Sequence, residues 1–133
     1  MLLLTKKTRF CCSHTLRKKE WNDQKNFEVF GQCSNLHGHN YILEVTVRGD
    51  INDESGMIIN LNTVGKIVNE KIVNVIDHTN LNTDIPAFTD RVPTLENMVM
   101  VFWDWLEQAL PPGTLAKLTL YETENNKIEY TKE

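Results

Sequence analysis

The apolar residues of this chain change their period twice, and no other feature constrains the fold as much. Along Tyr41-Ile42-Leu43-Glu44-Val45-Thr46-Val47 the residues Tyr41, Leu43, Val45 and Val47 alternate, so one face of a strand is apolar until Gly49-Asp50 ends the run. From Leu61 the step becomes three or four: Leu61, Val64, Val68, Ile72 and Val75 line one face of an amphipathic helix. A second helix is expected to follow Pro93, with Thr94 as its N-cap and Glu96-Asn97 in its first turn. It runs through Leu95, Met98, Val99, Phe102, Leu106 and Leu110 until Pro111-Pro112-Gly113 stops it. The tail returns to strands, Leu115 to Tyr121 and Ile128 to Tyr130, about a turn at Glu124-Asn125-Asn126. At the other end, residues 2–16 read as an extended segment with Phe10, Cys12 and His14 on one face, expected to pair antiparallel with the Tyr41 strand. Residues 17–36, polar with Trp21, Phe27, Val29 and Phe30 interspersed, fit a short helix or an ordered flap. The order ββααββ predicts an α+β fold, an antiparallel sheet with two helices on one face.

Composition narrows the classes of function. A chain of 133 residues, 41% hydrophobic and without repeat or linker, is expected to form a single domain over 1–133. Fourteen basic against eighteen acidic residues leave a formal charge of −4, and the densest basic run, Arg17-Lys18-Lys19, is closed at once by Glu20. Nucleic acid and anionic membrane are thereby excluded as main partners. The apolar start Met1-Leu2-Leu3-Leu4 is cut short by Lys6, Lys7 and Arg9, and no stretch approaches the roughly 20 residues that span a bilayer, so a cytoplasmic location is expected. Cys11, Cys12 and Cys33 are an odd set without a secretory signal and are expected as free thiols.

His37-Gly38-His39 carries the chemistry. Histidines two apart on a strand project the same way, and the glycine between them would let the backbone approach a shared ion. His14, on the strand expected to pair alongside, supplies a third imidazole. Three protein ligands with an open position are the catalytic pattern for Zn²⁺, whereas four closed ligands are the structural one. Cys33, four residues before His37, fits a base or nucleophile whose thiolate a nearby cation favours, and equally a fourth zinc ligand. Cys12 reads as a small core residue, and Cys11, pointing to the other side, is given no role. Asp77-His78 and Glu122 each follow an apolar element, where a polar group is not needed for packing and can serve as acid or base.

Six ordered motifs now coincide: Phe10-Cys12-His14, Cys33 to Tyr41 through His37-Gly38-His39, Gly56-Met57-Ile58-Ile59-Asn60, Asp77-His78-Thr79-Asn80-Leu81-Asn82, Pro93-Thr94-Leu95-Glu96-Asn97 and Tyr121-Glu122-Thr123. Together they resemble the 6-pyruvoyl-tetrahydropterin synthase / 6-carboxytetrahydropterin synthase family over nearly the whole chain. The resemblance implies a tunnelling fold (T-fold), whose ββααββ subunits join their sheets into a trimeric barrel, with two trimers stacked as a homo-hexamer. It implies a substrate, 7,8-dihydroneopterin triphosphate, and a Zn²⁺ held by the residues matching His14, His37 and His39. It further implies Cys33 as general base, Asp77 and His78 as proton relay, and Glu122 as the anchor of the pterin ring with support from Thr94 and Glu96. The sites would lie between subunits, with Asp77 and His78 reaching a neighbour's site.

Two departures bear on the product. Three residues separate Cys33 from His37, the spacing usual in the bacterial 6-carboxytetrahydropterin synthases of the queuosine pathway, whereas the animal pyruvoyl enzymes carry five. Asn60 and the Asp84-Ile85-Pro86-Ala87-Phe88 stretch look instead like the pyruvoyl enzymes. The spacing, at the reacting end of the site, leads to the expectation of a zinc-dependent lyase forming 6-carboxy-5,6,7,8-tetrahydropterin with loss of acetaldehyde and triphosphate. The alternative is triphosphate elimination to 6-pyruvoyl tetrahydropterin, and the alternative of another class is a non-catalytic zinc module closed by Cys33.

Overall fold

Two strands of thirteen residues, β1 (Leu2–His14) and β2 (His37–Gly49), form the frame of the molecule, seen in a computed structural model that describes residues 1–132. They pair antiparallel in unbroken register from Leu2↔Gly49 to His14↔His37. The alternation read from the sequence has the expected effect: Phe10, Cys12 and His14 on β1 and Tyr41, Leu43, Val45 and Val47 on β2 are all buried. The flap between the strands holds α1 (Asp23–Phe30), N-capped by the Asn22 side chain, and a 3₁₀ turn over Gly31–Ser34. The buried Asn26 side chain clasps it, accepting from the Lys18 N–H and donating to the carbonyls of Lys18 and Trp21.

After β2 the chain packs helices on the apolar face. Helix α2 (Leu61–Val68), capped by Asn60, passes through a π-helical turn over Asn69–Val73 into α3 (Asn74–Ile76). That wider turn rotates the helix face: Val64, Val68 and Ile72 are buried as expected, but Ile76 takes the core position and Val75 is exposed. A two-residue strand, β3 (Thr79–Asn80), and a single turn, α4 (Leu81–Asp84), lead to α5 (Leu95–Ala109). Thr94 is its N-cap, accepting from the Asn97 N–H. Helix α5 buries Met98, Val99, Phe102 and Leu106, and β4 (Leu115–Thr123) and β5 (Asn126–Tyr130) complete the sheet.

The sheet order is β3-β1-β2-β4-β5. One expectation is corrected here: the sheet is mixed, because β3 runs parallel to β1 through Cys12↔Thr79 and Ser13↔Asn80. No two-residue strand has a periodicity to read. The N–H of Thr15, just past β1, donates to the Asn82 side chain, which returns a bond to the Thr15 carbonyl, and the His78 N–H donates to the Cys11 carbonyl, so this edge is tied at both ends.

Candidate active site

The end of the β1–β2 ribbon brings three imidazoles together. His14 stands directly across from His37, and His39 lies two residues on along β2, so the pleat turns all three the same way. One ring nitrogen from each lies within 4.8 Å of the others. His14 Nδ1 is 2.9 Å from the Pro93 carbonyl and His37 Nδ1 is 2.7 Å from the Asn35 carbonyl. A carbonyl can only accept, so both Nδ1 atoms carry the hydrogen and both Nε2 atoms keep a free lone pair. Orienting a metal-binding histidine through its other nitrogen is the usual outer-shell arrangement.

Two of those nitrogens, His14 Nε2 and His39 Nε2, are buried without a hydrogen-bond partner. Orphaned buried acceptors of this kind are rare and call for a ligand. Burial pushes His14 down to about 4, and burial is also the main reason that His39 is lowered, so both are neutral near pH 7 and need lose no proton to bind a cation. The donor set therefore fits Zn²⁺: three imidazoles converge from one side, and the two that are most buried, His14 and His39, are neutral.

Gly38 also has a reason that was not expected. A Cβ there would stand 3.1 Å from the Cys12 carbonyl oxygen on the neighbouring strand, so the glycine serves the approach of β2 to β1. Gly38→Ala must push apart the strands that set His14 opposite His37. It is expected to destabilise the chain by about 1–3 kcal/mol and to weaken cobalt binding, read by urea denaturation and metal titration.

Glu122 lies in β4 where the pairing with β5 slips, Tyr121 facing Lys127 and Thr123 facing Asn126, and such an extra residue is a common means of re-aiming a side chain. Its Oε2 stands 3.8 Å from His39 Nε2 and 3.9 Å from His14 Nε2. The carboxylate that the resemblance assigns to the pterin thus borders on the imidazoles. Tyr41 lies beside them, its ring 5.6 Å from His39, and its buried hydroxyl also lacks a partner. Strand alternation marked Tyr41 for the core but could not show where its hydroxyl ends.

Cys33 is exposed, in the Gly31–Ser34 turn, and its carbonyl accepts from the Leu16 N–H at 2.8 Å, which ties the turn to the exit of β1. Its sulfur is not a member of the three-histidine cluster. Cys12 is the core residue expected, and burial raises its thiol to about 12. Asp77 and His78 are a pair, Nδ1–H of His78 donating to Asp77 Oδ2 at 2.8 Å. The Cys11 N–H, foremost, and His78 hold the Asp77 carboxyl below its usual range. The pair clusters with Cys11, on the face of β1 turned away from His14. Thr94 spends its hydroxyl on the helix cap, and Glu96 is exposed in the first turn of α5.

A feature that sequence reading missed lies just past the end of β1. A cleft of ≈ 340 Å³ opens beside Thr15 and is lined by Arg17, Lys18, Lys19 and Arg91 against Glu20 and Asp90. The run of three cations was visible, but Arg91 joins it only through the fold.

The profile of the family described as 6-pyruvoyl tetrahydropterin synthase matches residues 3–133. The 6-pyruvoyl tetrahydrobiopterin synthase of Pongo abelii is 43% identical over 132 residues, covering 98% of this chain and 91% of that protein. The solved structure of Caenorhabditis elegans 6-pyruvoyl tetrahydropterin synthase superposes with a TM-score of 0.94 at 31% identity, covering 99% and 96% of the two chains. The 6-carboxy-5,6,7,8-tetrahydropterin synthase of Aquifex aeolicus is more distant, 29% identical with 77% of each chain covered. These likenesses weigh against the carboxy expectation. The three-residue spacing on which it rested lies in a turn and its exit, where length changes are tolerated without altering the chemistry nearby.

Proposed function

This chain belongs to the 6-pyruvoyl tetrahydropterin synthase family, and from that premise we propose that it converts 7,8-dihydroneopterin triphosphate to 6-pyruvoyl tetrahydropterin with release of triphosphate. The observation that carries the reading is the set of three converging imidazoles, two with orphaned buried lone pairs, beside the Glu122 carboxylate. His14, His37 and His39 would hold Zn²⁺. When bound, the ion supplies Lewis-acid polarisation of the hydroxyls on the substrate side chain.

The chain's own groups supply the rest. Glu122 accepts N–H groups of the pterin ring and so fixes which end of the substrate meets the imidazoles. Thr94 and Glu96, at the start of α5, sit one and three residues after the carbonyl that orients His14, and support the ring from that side. Cys33 takes the side-chain proton as general base, and His78, oriented by Asp77, carries protons to and from the reacting carbons. Because the Asp77–His78 pair clusters with Cys11 and apart from the imidazoles of its own chain, a second copy is its natural source. This supports a homo-oligomer, expected as a hexamer, with shared sites.

The basic cleft suits the triphosphate. Thr15, which lines it, directly follows His14, so the cleft opens where the chain leaves the strand that carries this imidazole. Arg91→Ala is expected to raise KM about tenfold with kcat little changed, and tripolyphosphate should compete with substrate in the parent enzyme more strongly than in the variant.

Product analysis tests the whole reading: purified protein is incubated with dihydroneopterin triphosphate and the pterin identified by mass. A six-position pyruvoyl pterin without acetaldehyde is the expected result. Release of acetaldehyde with a carboxylated pterin would reinstate the carboxy reading, and an unchanged substrate would favour a non-catalytic zinc module.

A further inference from the structure

Cys11 has no part in the reaction proposed above, yet it is held among chemically competent groups. Its Sγ, a carboxylate oxygen of Asp77 and a ring nitrogen of His78 all lie within 4.8 Å of one another. The three are clasped by backbone as well: the Cys11 N–H donates to Asp77 Oδ1 at 2.8 Å, and the His78 N–H donates to the Cys11 carbonyl at 2.7 Å. Among the described residues His78 alone is a non-glycine with left-handed backbone, φ 62°. Strain of that kind persists where surrounding contacts hold it, and here they set the imidazole beside Asp77. Cys11 and His78 lie on the wall of a cleft of ≈ 590 Å³, which Ser13, Asn80 and Asp84 also line and which His39 borders from β2.

We propose that Cys11, Asp77 and His78 of one chain form a second metal site, for a thiophilic divalent cation such as zinc, cobalt or cadmium, separate from the three histidines. Thiolate, imidazole and carboxylate are the donor types that such ions share, and a single carboxylate beside a sulfur does not suit magnesium or calcium. Donor bonds of about 2.0–2.3 Å put two ligands on one ion roughly 3.3–3.8 Å apart. The donors already lie within 4.8 Å of one another, and the His78 side chain, 79% exposed, exchanges its bond to Asp77 for one to the ion. On binding, the Cys11 thiol gives its proton to solvent and the ion closes the Cys11–Asp77–His78 triangle, leaving open positions toward the cleft for water. An ion there takes the atoms that relay protons, so excess metal inhibits turnover.

Cobalt titration of the apoprotein tests the site without reference to activity. A thiolate-to-cobalt charge-transfer band in the near ultraviolet is expected, because three imidazoles alone produce none, however many ions they take. Cys11→Ser should abolish the band and remove one bound equivalent. His78→Gly, whose residue adopts the left-handed backbone freely, should keep the fold and lose the same equivalent. Cys33→Ala should retain the band. No band in the parent protein, a band that survives Cys11→Ser, or one that vanishes in Cys33→Ala would overturn the proposal, the last by placing the thiolate on the three-histidine ion.

Discussion

Cys33→Ala is expected to leave the zinc of the three histidines in place while kcat falls by about 10²–10⁴-fold, the usual worth of a general base. The expectation follows from position. Cys33 sits exposed in a 3₁₀ turn, outside the three-imidazole cluster, and only its backbone carbonyl is bonded to the rest of the site. Removing the sulfur therefore takes away a base without removing a ligand or a packed side chain. Metal analysis and steady-state kinetics on the same preparation read both quantities. Zinc lost together with activity would show that Cys33 closes a four-ligand structural site, and unimpaired turnover would assign the base elsewhere.

His14→Ala is expected to fail in a different way, losing metal and stability at once. The ring is fully buried and its Nδ1–H is the partner of the Pro93 carbonyl, so truncation leaves a cavity and an unpaired acceptor. A cost of about 3 kcal/mol or more is expected, with metal affinity lowered by more than 100-fold. The apoprotein should also show a specific pH response. His14 is held near 4 in the folded chain against 6.5 for the ordinary side chain, so the unfolded chain binds its proton first as pH falls. The apoprotein is therefore expected to lose stability between pH 6.5 and 4 and to regain it above, and His14→Ala should flatten that part of the curve. Urea midpoints for both proteins across this range give the comparison. Equal slopes would show that the His14 ring is not held neutral by burial.

The faces of β1 and β2, the start of α5 at Thr94 and the convergence of His14 with His37 and His39 were all legible from the chain. Each depends on a local period or a local cap: two residues per strand repeat, three to four per helical step, and a hydroxyl at the residue before the first turn. Antiparallel pairing of the two long strands then leaves little freedom in where the histidines meet. The π-helical turn that exchanges Val75 for Ile76 in the core was not legible, because no local period marks where a helix widens by one residue.

Tertiary structure alone decided the remaining features, and each joins residues far apart in the chain. Cys11 meets Asp77 across 66 positions through a parallel pairing too short to leave a periodic trace. Arg91 comes to line one cleft with Arg17, Lys18 and Lys19, Glu122 is aimed by a slip in strand register, and Gly38 proves to accommodate the neighbouring strand. Local periodicity is written into neighbouring residues and can be read from them. Distant contacts depend on how the finished elements pack, and it is those contacts that turn a set of imidazoles into a site.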